Sequence, residues 1–237
     1  MKPEAILFDL DGTLLPMDQE VFIRSYFGRL AKKMAGFGYE PEKMIKAVYA
    51  GTKAMITNDG GDTNENVFWR TFCAIFGEQA RADEPHFDAF YRSEFQQVKG
   101  DCGFDPRAAE LICGLKARGY RVILATNPLF PQIATYSRIR WAGMEPKDFE
   151  LVTTYENSSF CKPNPKYYEE IVNRLGLDPQ RCLMVGNDVG DDMVARTLGM
   201  KTFLLTDCLI NHAGEDIDRY PHGSFDALKS YIASLEA

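Results

Sequence analysis

The chain has 237 residues, of which 45% are hydrophobic and 26% charged, so there is apolar material enough to cover a sheet on both faces of a globular fold. A formal net charge of −7 disfavours a non-specific binder of nucleic-acid backbones, which are held by clustered Lys and Arg, while leaving room for a small phosphorylated partner that needs only a few local donors. No segment approaches the length of a membrane span. The six cysteines, Cys73, Cys102, Cys113, Cys161, Cys182 and Cys208, form no CxxC pair, which predicts free thiols and not a metal cluster.

The first element is a four-residue apolar run, Ala5 to Phe8, inside "AILFDLDGTLL". It predicts a buried strand. Its shortness, and Asp9 at its end, do not match a signal peptide, so a reducing cytoplasmic compartment is expected. Two aspartates follow at once, Asp9 and Asp11, then a turn at Gly12. Carboxylates this close repel unless a cation or a shared proton offsets them.

Pro16 to Gly100 contains no strand pattern. Helical periodicity runs over Val21–Ala35, Pro41–Ala50, Asn64–Phe76 and Pro85–Val98, with Pro41 and Pro85 suited to helix starts. This stretch is expected to be an all-helical domain, residues 16–100, inserted into an α/β core made of residues 1–15 and 101–237. After it, short β-rich runs alternate with helical ones. Strands are predicted at Tyr120–Asn127, Phe149–Thr154, Cys182–Asp188 and Lys201–Asp207. Helices are predicted at Arg107–Arg118, Pro165–Leu175 and Asp191–Leu198, each closed by a glycine, with a last short helix in the tail. That alternation predicts a Rossmann-like parallel sheet with helices on both faces.

In an open parallel sheet, ligands bind beyond the carboxyl ends of the strands. Asp9 and Asp11 follow the first strand, Thr126 and Asn127 close the second, and Asn187, Asp188, Asp191 and Asp192 follow the fourth. Lys162, in "FCKPNPKYY", lies in the loop after the third. Singly, each has a plain explanation: a polar turn, a strand end, a surface lysine, a helix cap. Asp191 is assigned mainly the capping role. Together they make an oxygen-only site suited to Mg²⁺. A carboxylate nucleophile, a second carboxyl as acid and base, and a lysine with amide and hydroxyl donors suffice for phosphoryl transfer.

These four pieces, "DLDGT", the threonine of "LATN", the lysine of "CKPNP" and "VGNDVGDD", resemble the four motifs of the haloacid dehalogenase (HAD) superfamily. Within it the chain resembles the phosphatase-like branch with a helical cap inserted after the first motif. The resemblance implies that Asp9 is the nucleophile and a Mg²⁺ ligand, and that Asp11 is the general acid/base and gives the metal its backbone carbonyl. It implies that Thr126, Asn127 and Lys162 hold the phosphoryl group and that Asp188 is a further metal ligand. Asp192 and Asn187 would act on the metal indirectly; Asn187 stands where many relatives carry Asp or Glu. Asp11 favours phosphoryl transfer over dehalogenation, in which the leaving halide needs no proton. None of Lys32, Lys33, Lys43, Lys46 and Lys53 is marked out as a Schiff-base lysine. The expected activity is therefore hydrolysis of a small phosphorylated metabolite, with no nucleic-acid or membrane partner and no oligomeric state implied. A phosphomutase on the same fold and a non-catalytic phospho-ligand-binding module are the alternatives.

Overall fold

The apolar run Ala5–Phe8 forms strand β1, and all four of its residues are fully buried. The computed structural model, which describes residues 2–236, sets β1 at the middle of a parallel sheet. The other strands are β2 (Arg121–Leu124), β3 (Leu151–Val152), β4 (Cys182–Gly186), β5 (Lys201–Leu205) and β6 (His222–Gly223), in the order β3-β2-β1-β4-β5-β6. β1 pairs with β2 on one side and β4 on the other, Phe8 lying level with both Leu124 and Val185. The chain builds outward from β1 in one direction, then returns to build in the other. The strand order therefore reverses beside β1, the place where open sheets bind ligands.

Successive strand residues face opposite sides, so the sheet separates two apolar layers. Ile6, Phe8, Val122, Leu124 and Val185 join one core with helices α5 (Pro106–Ala117), α6 (Gln132–Trp141) and α8 (Phe225–Ser234). Ala5, Leu7, Ile123 and Met184 join the other with α7 (Pro165–Leu175). Between β1 and α5 stand only helical elements: α1 (Gln19–Ala35), α2 (Pro41–Ile56), α3 (Asn64–Phe76), α4 (Glu84–Arg92) and 3-10 turns at Glu78–Asp83 and Glu94–Asp101. The aromatic core of this insertion is continuous with the first layer of the sheet. Rings of Phe22, Phe95 and Trp141 carry the packing across, with Phe22 to Phe95 centroids 6.3 Å apart and Phe95 to Trp141 5.0 Å.

The elements differ from expectation where a local signal had two meanings. α2 passes through Gly51 and runs to Ile56, beyond the predicted Ala50. Gly51 is no helix stop: a Cβ there would sit 2.5 Å from the Phe68 ring, so the glycine lets α3 pack close. The predicted helix Pro85–Val98 breaks at Ser93 into α4 and a 3-10 turn. The predicted helix Asp191–Leu198 is only a 3-10 turn, Met193–Leu198. α6 was not predicted, nor was β6. Among the described residues no helix is long and apolar enough to cross a membrane.

Candidate active site

Each β-strand of the central trio ends at the same level, so the residues that follow them share one edge. Asp9 N–H donates to the Val185 carbonyl at 2.9 Å, and Ala125 N–H to the Phe8 carbonyl at 2.7 Å. These bonds carry the ladder one residue past the strands and fix the backbone from which Asp9, Thr126 and Asn187 project. Asp9, Asp11, Thr126, Asn127, Lys162, Asn187, Asp188, Asp191 and Asp192 all line one cavity of about 200 Å³. The structure thus brings every sequence-predicted site residue to one place.

Lys162 is the pivot. It is 2% exposed, and its Nζ donates to Asp9 Oδ1 at 2.9 Å and to Asp192 Oδ1 at 2.6 Å. Burial works against its charge, but Asp192 and Asp9 outweigh burial and hold its pKa well above the ordinary lysine value. Asp192 is itself only 1% exposed. Burial pushes its carboxyl up, against the pull of Lys162. Its other oxygen accepts from Asp188 N–H at 2.9 Å, so Asp192 spans Lys162 and the backbone of the β4 loop. A Cβ at Gly186 would fall 2.0 Å from Asp192 Oδ2. Only glycine leaves that carboxylate its place.

Asp188 accepts at one oxygen from the N–H groups of Gly190 and Asp191, at 2.8 and 3.0 Å. It performs the turn-closing role that the sequence assigned to Asp191. The Asp191 side chain instead accepts from Asn127 Nδ2 at 3.1 Å, and burial pushes its carboxyl up. The reason is the short 3-10 turn, which starts after Asp192 and takes no side-chain cap. Asn187 is occupied at both ends: Oδ1 accepts from Thr13 Oγ1 at 2.9 Å, and Nδ2 donates to the Cys208 carbonyl at 2.7 Å. Thr13 also reaches Asp9 Oδ2 at 3.2 Å. Thr126 is anchored through its carbonyl, which accepts from Tyr167 Oη at 2.8 Å and Thr153 Oγ1 at 2.6 Å. Its side chain is left to the cavity wall.

Sequence reasoning missed Arg138. It lies on α6, is fully buried, and its Nη1 pairs with Asp11 Oδ2. Its guanidinium stacks over the Phe130 ring at 4.4 Å, and its Nη2 donates to Thr135 Oγ1 at 3.3 Å. The other Asp11 oxygen, Oδ1, is buried with no hydrogen-bond partner. Burial raises the Asp11 pKa despite the arginine beside it. Nothing in "TYSRIRWAG" flags Arg138 beforehand, because α6 is apolar-periodic on no single face: Ala134, Ser137, Arg138, Ile139 and Trp141 are all buried. Thr13 was visible inside the first motif, but its role depends on a contact 174 positions away.

Five carboxylates, Asp9, Asp11, Asp188, Asp191 and Asp192, meet two cations, Lys162 and Arg138. An anionic substrate entering such a site requires further positive charge. The donors available are oxygens, and among the described residues no cluster of three or more His, Cys, Asp or Glu side chains forms a ready-made cage. That donor set fits Mg²⁺, which takes one or two carboxylates and keeps waters or phosphate oxygens for its remaining positions.

Residues 3–199 match the haloacid dehalogenase-like hydrolase family. The chain belongs to that family, and its relatives place it in the phosphatase branch. It is 26% identical over 223 residues to a glyceraldehyde 3-phosphate phosphatase of Methanothermobacter thermautotrophicus, covering 90% of this chain and 89% of that one. It is 25% identical over 239 residues to a phosphoglycolate phosphatase of Nitrosococcus oceani, covering 96% and 94%. Its fold is that of the HAD-hydrolase YfnB of Bacillus subtilis, solved with bound magnesium, at a TM-score of 0.58 and 17% identity over 98% of this chain and all of that one.

Proposed function

We propose that this protein is a Mg²⁺-dependent phosphatase that hydrolyses a small phosphomonoester through an aspartyl-phosphate on Asp9. The observation that carries the reading is the buried Lys162, bonded to Asp9 and Asp192 from three separate parts of the chain. A buried charge held this way costs several kcal/mol in desolvation, and a merely structural lysine at a surface loop would avoid that cost.

In the first step an Asp9 carboxylate oxygen attacks phosphorus and the bond to the leaving oxygen breaks. Asp11 gives that oxygen its proton. Burial favours the protonated form of Asp11, and its unpartnered Oδ1 is the atom free to carry the proton while Arg138 holds Oδ2. In the second step Asp11 takes a proton from water, which attacks phosphorus and releases phosphate and the Asp9 carboxylate. Lys162, Thr126 and Asn127 bind the phosphoryl oxygens. The carboxylates of Asp9 and Asp188 and the Asp11 carbonyl would hold Mg²⁺. When bound, the ion supplies positive charge for the phosphoryl oxygens. Asp192 and Asn187 position their neighbours and stand behind this set.

Residues 16–100 are taken as a cap over a core of residues 1–15 and 101–237, its closure keeping bulk water from the intermediate. Six free cysteines suit a reducing, cytoplasmic compartment. Asp9→Asn is expected to abolish phosphate release from an aryl phosphate, with an unchanged far-ultraviolet circular dichroism spectrum, and chelation of Mg²⁺ is expected to silence the wild type. Retained turnover in Asp9→Asn would overturn the reading.

A further inference from the structure

Beside the carboxylate cavity lies a second one of about 110 Å³, walled by the helical insertion and by the loops after β2 and β3. The two cavities share Ile23, Leu129 and Phe130 as lining. A substrate whose phosphoryl group sits on Asp9 can extend its organic part into this second chamber. The chamber has no Lys, Arg, His, Asp or Glu in its lining. Its walls are aromatic and aliphatic, with Phe68, Trp69 and Val48 opposite Phe130.

Several of its polar side chains are paired within the protein. The Thr52 hydroxyl donates to the Val48 carbonyl at 2.9 Å. The Tyr26 and Tyr91 hydroxyls bond each other at 3.0 Å. The Trp69 indole, 4% exposed, faces the hydroxyl of Tyr155, which also lines the chamber. A chamber of this kind rewards an apolar ring and penalises a charge, because an anion entering it would lose its hydration and gain no cation. An apolar cavity of about 150 Å³ admits benzene, so the volume here suits a single ring, part of which extends toward the shared wall.

We propose that this chamber is the leaving-group subsite and that the substrate class is the phosphate monoester of an uncharged, ring-bearing alcohol, not a phosphocarboxylate or a bisphosphate. This rests on the phosphatase reading above and narrows it. It separates the chain from its relative named for phosphoglycolate, a substrate that carries a carboxylate where this chamber is apolar.

The test compares benzyl phosphate with ethyl phosphate and phosphoglycolate in the presence of Mg²⁺, since benzyl and ethyl alcohols differ little as leaving groups. The expected kcat/KM for benzyl phosphate is about ten- to a hundredfold above both, the range that apolar pocket contacts supply. Val48→Phe, which fills the chamber from α2, is expected to erase that preference by bringing benzyl phosphate down to the level of ethyl phosphate. Equal or better turnover of ethyl phosphate or phosphoglycolate would overturn the proposal. So would a Val48→Phe protein that folds and loses both activities alike. A binding arm keeps this separate from the phosphatase reading and needs no variant to fold. Benzylphosphonate, which is not hydrolysed, should bind the wild type at least about tenfold more tightly than methylphosphonate, read by tryptophan fluorescence. Tighter benzylphosphonate binding without turnover of any ester would sink the phosphatase reading and keep the subsite; equal binding would sink the subsite.

Discussion

Arg138 is fully buried and its charge is answered by Asp11 and the Phe130 ring. Removing one partner of such a pair leaves the other uncompensated, at about 3–5 kcal/mol. Arg138→Met is therefore expected to lower stability by about that much in urea unfolding. With Asp11→Asn already present the cost of the arginine change should differ by more than about 0.5 kcal/mol, the coupling expected of contacting residues; simple additivity would deny the pair. A second residue-scale expectation concerns pH. Burial raises the Asp191 pKa, so the folded protein binds that proton more tightly than the unfolded chain does. The stability this supplies is complete below the unfolded pKa and disappears as pH rises through the folded one. Asp191→Asn does not titrate and retains an acceptor for Asn127. In metal-free buffer its Tm advantage over wild type should be larger at neutral pH than below the unfolded carboxylate pKa, and a gap that shrinks as pH rises would contradict it. Of these residues Asp9, Asp11, Lys162 and Asp188 were legible from their positions after strands. Arg138 was not, because a charge buried by tertiary packing carries no periodic signature.

At the scale of the element, the strands near the sheet centre were legible since strands buried on both faces are nearly continuous apolar runs. β6 escaped because it is two residues long, His222 and Gly223, neither buried. α6 escaped for the opposite reason: burial around much of its circumference removes the polar face that marks a helix. The polar loop Thr57–Asn64 is tied to the core. Asn64 N–H donates to the Ser158 carbonyl at 2.9 Å, and Glu65 N–H to the Tyr155 carbonyl at 2.8 Å. Asn64 is fully buried, and its Oδ1 accepts from Asn58 Nδ2 at 2.9 Å. Asn64→Ala is expected to cost about 1–3 kcal/mol and to expose residues 57–63 to proteolytic nicking before the remainder of the chain. Nicking that begins elsewhere would mean that this loop is not the weak point of the insertion.

For the molecule as a whole, the reversal of strand order beside β1 turns residues up to 183 positions apart, Asp9 and Asp192, into partners of one lysine. The sequence motifs foretold that meeting. They did not foretell the apolar chamber, since its walls come from α1, α2, α3, α4 and the loops after β2 and β3, assembled only by packing. The excess of carboxylates over cations makes a global prediction. A site this acidic is strained by its own charge, so Mg²⁺ binding to the folded state should raise Tm in proportion to the logarithm of its concentration above Kd. Asp188→Asn should blunt the rise, and an equal rise in wild type and variant would remove Asp188 from the metal.

In the proposed reaction Asp9 is transiently phosphorylated. Acid-quenching the enzyme during turnover of benzyl phosphate, reducing it with borohydride and sequencing its peptides by mass spectrometry tests this directly. Homoserine is expected at position 9, dependent on substrate and Mg²⁺. An unmodified Asp9 in an enzyme that is turning over, or reduction at a different carboxylate, would contradict it.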